Sequence, residues 1–127
     1  MPSTPGRYQC DKYRPRPGLP RQVGNGAPHL VISYSLETND SRFRWREGYR
    51  VGDEFITYLK DSFDVLHAEG AEAPKMMTVG LHARLLGRPG RIGALHRILD
   101  YMAGHERVWI TRREDIARHW MAVHPAG

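Results

Sequence analysis

An apolar run that ends in a histidine constrains this fold more than any other stretch of the sequence. Met76, Met77, Val79 and Leu81 precede His82 with little polar interruption. Such a run is typical of a strand that is covered on both faces in a parallel sheet. Because ligands bind at the carboxyl ends of the strands in parallel α/β folds, the pattern predicts that His82 lies at the edge of the sheet where chemistry takes place.

A short apolar run followed by a helical pattern occurs three times in the chain. The predicted strands lie at residues 29–35, 76–81 and 108–110. A helix follows each of them: the first at 53–69, the second after the loop 83–90, and the third after a capping-box spacing at Thr111 and Glu114. Strands that alternate with helices favour a parallel sheet with right-handed crossovers. The predicted fold class is therefore α/β, with three consecutive βα units of a parallel sheet.

Three βα units do not close a barrel, since a complete β/α barrel takes about 250 residues. The chain has 127 residues, so the units are either a small open sheet or part of a larger β/α barrel. Residues 1–28 are rich in proline and arginine and cannot form a regular helix or a central strand. The predicted organisation is an extended or disordered leader over residues 1–28, followed by an α/β domain over residues 29–127.

The charge is concentrated in the first part of the sequence. Of the 19 Lys and Arg residues, nine lie in residues 1–50 beside four acids, and the rest of the chain holds ten of each. These basic residues are interleaved with prolines, without the spacing of a known nucleic-acid-binding motif, so we expect no specific nucleic-acid partner. Cys10 is the only cysteine and no apolar run approaches 20 residues. We therefore expect a cytoplasmic protein without a disulfide or a membrane span.

Three stretches resemble a known family. They are YSLETND at residues 34–40, the run from GDEF to GRPGR at residues 52–91, and VWITRREDIARHW at residues 108–120. They are similar to the C-terminal part of the polysaccharide deacetylase, or NodB-homology, superfamily, and most similar to its branch of metal-independent allantoinases of purine breakdown. The resemblance implies a distorted β/α barrel of the deacetylase type, of which this chain supplies a part. It also implies hydrolysis of a non-peptide C–N bond, in an N-acetylated sugar or in a ureide ring.

The resemblance implies roles for particular residues. His82 matches the histidine of the Leu-His motif, which acts as the general acid toward the leaving amine, and Asp40 lies in the region of the acidic motif that tunes it. Glu37, Asn39 and Arg84 are candidates for substrate binding. The alternatives are a histidine that only ends a strand, Asn and Asp side chains that close a turn, and an arginine in a solvated loop or a subunit contact.

The sequence departs from the family in one important respect. The Asp-Asp pair and the His-x-x-x-His pair, which supply the family's catalytic base and metal ligands, have no match in this chain. We therefore expect no metal and no cofactor, and an incomplete catalytic domain with little activity alone. The alternative is a non-catalytic βα module that self-associates or docks on a partner, because unpaired strand edges favour association. A homo-oligomer is expected in either case.

Overall fold

The computed structural model of the chain describes residues 21–22, 28–29, 32 and 34–124. Two short strands, β1 (Arg21–Gln22) and β2 (Pro28–His29), pair antiparallel. Most of the predicted leader lies outside the described residues, which include only positions 21–22 and 28 of it, and so do positions 30, 31 and 33 of the predicted first strand. None of the helices within the described ranges is long and apolar enough to cross a membrane.

Three α-helices follow, close to the predicted positions. They are α1 (Gly52–Glu69), α2 (Pro89–Ala103) and α3 (Arg113–Val123), and a 3-10 helix over Asp40–Arg44 precedes them. Helix α2 begins inside the predicted loop, with Pro89 at its first position. The ring of proline fixes φ at a helical value, and the N–H that proline lacks would be unpaired at this position in any case. The predicted capping box of α3 is wrong. Arg112 stands at the N-cap, and the Thr111 hydroxyl donates to the Asp115 carboxylate instead.

The predicted three-stranded sheet is not formed in the part of the chain that is described. Residues 76–82 and 108–110 are not strands, and the one pairing outside β1 and β2 is a parallel bridge between Asn39 and Gly80. Residues 76–80 are half-buried and Leu81 is 46% exposed, so this run is not covered on both faces as predicted. The periodicity of the sequence indicates an extended apolar segment, whereas a strand also requires a continuous hydrogen-bonded neighbour.

The core lies between α1 and α2. Phe55, Leu59 and Phe63 form the predicted stripe on α1 and are buried. They belong to one cluster with Ile98 and Met102 of α2. The cluster also includes Tyr49, which precedes α1, and Leu86, which lies between α1 and α2. Burial of these side chains stabilises the pair of helices, at about 1.5–3 kcal/mol for each large apolar side chain.

Two parts of the predicted helix faces are not in this core. Leu99, which the periodicity places on the buried face of α2, is exposed. Helix α3 buries none of its residues. Its apolar positions Ile116 and Trp120 are only half-covered, and Val123 is exposed. The helical period thus identifies α3 as amphipathic, but the described residues do not cover its apolar side.

Candidate acid–base site

The carboxylate of Asp40 lies against His82. The His82 Nδ1 and the Asp40 Oδ1 are 2.7 Å apart. Asp40 is completely buried, and its second oxygen, Oδ2, accepts the backbone N–H groups of His82 at 2.7 Å and of Leu86 at 3.2 Å. Three donors therefore converge on one buried carboxylate, which is the condition under which burying such a group is tolerated.

Hydrogen bonds of the residues next to Asp40 hold it in this position. Asn39 precedes the 3-10 helix as its N-cap, and its Oδ1 accepts the N–H of Ser41 at 2.8 Å. The Thr38 hydroxyl donates to the carbonyl of Thr78 at 2.7 Å. On the backbone, Gly80 donates to the Thr38 carbonyl and accepts from the Asp40 N–H, each at 3.0 Å. The segment that carries Asp40 is thereby fixed alongside the segment that leads into His82.

A tight turn after His82 completes the site. The N–H groups of Leu85 and Leu86 both donate to the His82 carbonyl, at 2.9 and 3.0 Å. A side chain at Gly87 would meet the Ala83 carbonyl oxygen at 2.3 Å, so the close turn requires glycine there. The turn directs the Leu86 N–H back to Asp40. The glycine-rich loop after His82 therefore forms the turn that brings the Leu86 N–H to the Asp40 carboxylate.

The contacts of Asp40 fix the orientation and the tautomer of the imidazole. An ionised carboxylate can only accept hydrogen bonds, so the His82 Nδ1 carries the proton that is shared with Asp40. The other ring nitrogen, Nε2, can then accept a proton from a ligand or donate one to it. The His82 side chain is 39% exposed. A buried carboxylate behind a partly exposed imidazole is an arrangement suited to general acid–base chemistry.

Comparison with known proteins shows what the chain resembles. No family model matches the chain. It is 48% identical over 119 residues, 93% of its length, to a Schizosaccharomyces pombe (strain 972 / ATCC 24843) protein named as a polysaccharide deacetylase. The crystal structure of Puue allantoinase matches 91% of the chain, with 56% identity and a TM-score of 0.77. The chain is therefore similar to part of the polysaccharide deacetylase superfamily.

A second solved structure agrees. It is that of a Pseudomonas aeruginosa PAO1 protein named as a polysaccharide deacetylase, which matches 85% of the chain with 54% identity and a TM-score of 0.78. The resemblance read from the sequence is thus confirmed, and the fold is of the deacetylase type. The chain spans about a third, 36%, of the length of each of these three proteins.

The structure brings Asp40 and His82 together. The three residues predicted to bind substrate lie within three positions of one or the other in the chain. Asn39 is buried, and its side-chain oxygen caps the 3-10 helix. Glu37 is half-buried and accepts the Ser35 hydroxyl at 3.1 Å. Arg84 is exposed, and its carbonyl accepts the Nε–H of Arg88. Contact of these three residues with a substrate stays a prediction.

Two contributions to the site are absent from the sequence-based prediction. The Leu86 N–H on Asp40 is a backbone group, so no side-chain pattern could indicate it, although the loop chemistry of residues 83–90 marks the turn. Tyr49 is the second, because its hydroxyl donates to the Glu37 carbonyl at 2.7 Å and so holds the segment before Asp40. Burial raises the pKa of Tyr49, against the lowering effect of the Arg42 guanidinium, which lies 4.8 Å from the ring centre.

A metal, which the superfamily name suggests, does not fit the residues at hand. Within the described ranges, no three His, Cys, Asp or Glu side chains come close enough together to hold a metal ion. His82 uses Nδ1 for Asp40, and both Asp40 oxygens are occupied by donors from the protein. We therefore propose no metal-bound step for this chain.

Proposed function

We propose that this chain carries the general acid–base histidine of a hydrolase that cleaves a non-peptide C–N bond. The observation that supports it is the 2.7 Å contact between His82 and the buried Asp40 carboxylate. One of the three relatives is named as an allantoinase and two as polysaccharide deacetylases, and opening a ureide ring or removing an N-acetyl group breaks such a bond. The chemistry of the pair and the names of the relatives point in the same direction.

The role of the pair follows from the chemistry of amide cleavage. An amine anion is a very poor leaving group, so the nitrogen must receive a proton as the C–N bond breaks. In its protonated form, His82 supplies that proton from Nε2. The Asp40 carboxylate keeps the Nδ1 proton and stabilises the charged ring, so the imidazole stays aligned through the step. Removal of either side chain is expected to raise the barrier.

We propose a ureide as the first substrate to test and an N-acetylated sugar as the second. Puue allantoinase is 56% identical to the chain, and this sequence lacks the His-x-x-x-His pair that supplies metal ligands in the deacetylases. We expect little turnover by the chain alone. The family's early motifs have no match in this sequence, so it lacks their base to activate water and their walls to orient the substrate.

A chimera tests the proposal. In Puue allantoinase, the matching third is replaced by this chain, and hydrolysis of allantoin is measured. We expect a soluble chimera with activity, and a loss of at least about 100-fold in kcat on His82→Ala, the typical contribution of a general acid. The matched control is His96→Ala, because His96 is exposed on α2. A folded, active chimera in which His82→Ala behaves like His96→Ala would refute the proposal.

A second candidate is a non-catalytic module that associates through its apolar surface. It is favoured by the third unit, since α3 buries no residue and Trp109 and Ile110 are 60% and 52% exposed. Multi-angle light scattering of the purified chain over a range of concentrations distinguishes the two cases. A monomer at every concentration would contradict this second candidate.

A further inference from the structure

The backbone of Gly80 approaches the side chain of Asn39 more closely than any other residue type would allow. A Cβ atom built at Gly80 would lie 2.2 Å from the Asn39 Nδ2 and 2.7 Å from its Cγ. Both distances are well below van der Waals contact. The Asn39 side chain has little freedom to withdraw, since its Oδ1 accepts the Ser41 N–H and the residue is buried.

This approach lies between the two segments that carry the acid–base pair. Asn39 directly precedes Asp40, and Gly80 stands two residues before His82. The parallel bridge between Asn39 and Gly80 sets how far apart the two segments run. The shift needed to relieve a contact of 2.2 Å would be passed on to the contact between Asp40 and His82, because backbone hydrogen bonds join the segments at the bridge.

We propose that Gly80 is a positioning residue for His82. Because Gly80 has no side chain, the buried Asn39 amide can lie over its backbone, and the two segments come close enough for Asp40 to hold the imidazole. The proposal rests on the proposed function in so far as the alignment of His82 matters for proton transfer. Neither residue is expected to touch the substrate in this role, which differs from the substrate-binding role that the sequence predicted for Asn39.

Other glycines in the chain show that the constraint is specific to Gly80. A Cβ atom at Gly90 or at Gly93 would have no neighbour within 4 Å. Gly93→Ala therefore makes the same chemical change in open space and serves as the matched control. If the effect of Gly80→Ala came only from the loss of backbone flexibility, Gly93→Ala would have a comparable effect.

The experiment is a double-mutant cycle read by NMR of the imidazole. The variants are Gly80→Ala, Asn39→Ala, the combination of the two, and Gly93→Ala. The readout is the downfield proton on the His82 Nδ1, with the ring 15N shifts that report the tautomer, and His82→Gln assigns the signal. Dispersed backbone amide signals show separately whether each variant is folded.

We expect the Nδ1 proton signal in the original chain, in Asn39→Ala and in Gly93→Ala, and its loss in Gly80→Ala. We expect the double variant to regain it, since after removal of the Asn39 amide the nearest side-chain atom, its Cβ, is 3.3 Å from the new methyl group. The proposal is overturned if Gly80→Ala keeps the signal, or if the double variant lacks it. If Gly80→Ala alone does not fold, a double variant that also fails to fold overturns the proposal.

The same variants separate this inference from the proposed function. The NMR signal reports the position of His82 without any substrate. A signal that follows the expected pattern, together with an active chimera that is insensitive to His82→Ala, would uphold the positioning and refute the hydrolase assignment. In the active chimera, Gly80→Ala should lower kcat about tenfold and the double variant should restore most of it, in proportion to the recovery of the signal.

Discussion

Two regions of this molecule look alike in sequence and differ in structure. The site segments, residues 38–40 and 76–86, and the third unit, residues 108–123, both combine a short apolar run with a polar turn. In the site segments, Thr38 and Asp40 are completely buried and are bonded to residues about 40 positions away. In the third unit, the side-chain bonds of Thr111, Arg112 and Arg118 reach no further than four residues, and the long-range bond from Arg113 to the Ile32 carbonyl is exposed.

The comparison shows that buried polar contacts, rather than apolar runs, order the site. A buried hydroxyl or carboxylate must find a partner of defined geometry, so each such bond fixes the relative position of two segments. The exposed side-chain pairs of the third unit impose no comparable constraint, because exposed ion pairs contribute little. Substitutions in the two regions should therefore have effects of different size.

The largest effect is expected for Asp40→Ala. It leaves the N–H groups of His82 and Leu86 and the imidazole without their acceptor, so we expect a loss of about 3–5 kcal/mol in the free energy of unfolding, as for the breaking of a buried charged pair. Urea denaturation measures it. The control is Asp100→Ala, because Asp100 is exposed on α2 and should change stability by less than about 0.5 kcal/mol. Equal effects of the two substitutions would remove the distinction between the regions.

A pair of threonines gives a smaller and better matched test. Thr38→Val leaves the Thr78 carbonyl without the buried hydroxyl that donates to it, and we expect a loss of about 1–2 kcal/mol. Thr111→Val removes a hydroxyl of the third unit that donates to the half-buried Asp115 carboxylate, to which Arg112 also donates, and we expect a smaller change than for Thr38→Val. Urea denaturation of both variants, side by side, decides the point. A costly Thr111→Val would mean that the third unit is held more firmly than its contacts indicate.

Replacement of exposed apolar residues in the third unit should affect association more than stability. For Trp109→Ser combined with Ile110→Ser, we expect the free energy of unfolding to change by less than about 0.5 kcal/mol, because both side chains are more than half exposed. Any self-association seen by light scattering should decrease. The double variant Leu59→Ser with Phe63→Ser on α1 provides the contrast, since both are buried and should prevent folding. Unchanged association would locate the contact surface elsewhere.

The smallest effect concerns the pH dependence of α3. The Arg112 guanidinium, hydrogen-bonded to Asp115, lowers the pKa of that carboxyl below its ordinary value. A lowered pKa in the folded state means that the contact stabilises α3 above the pKa of the unfolded chain and is lost as the pH falls through the lower, folded value. We therefore expect the amide signals at the start of α3 to shift as the pH falls from about 5 to below 4. Asp115→Asn should remove that shift, and its persistence would assign it to another group.

Much of the fold was predictable because helices are encoded locally. The 3.6-residue period in residues 53–69 locates α1, and the period after the predicted loop locates α2, although that helix begins at Pro89, inside the loop. The strands were not predictable to the same degree. An apolar run such as residues 76–81 indicates an extended, partly covered segment, but pairing depends on neighbours that are distant in sequence.

The site divides in the same way. His82 was found from the run that precedes it and from a family motif, and Asp40 from the family resemblance. The Leu86 N–H and the approach of Gly80 to Asn39 were not found, since the first is a backbone group and the second depends on which segment lies opposite. Their positions are known only from the fold.

The sequence by itself therefore determined the three helices, the resemblance to the polysaccharide deacetylases and the position of His82 after an apolar run, because each depends on residues close together in the chain. The tertiary structure alone decided that Asp40 would be buried beneath His82 with three donors on its carboxylate, and that α3 would keep its apolar side uncovered within the described residues. The physical reason is that hydrogen-bond partners and burial are properties of segments brought together across some 40 residues, which no local pattern specifies.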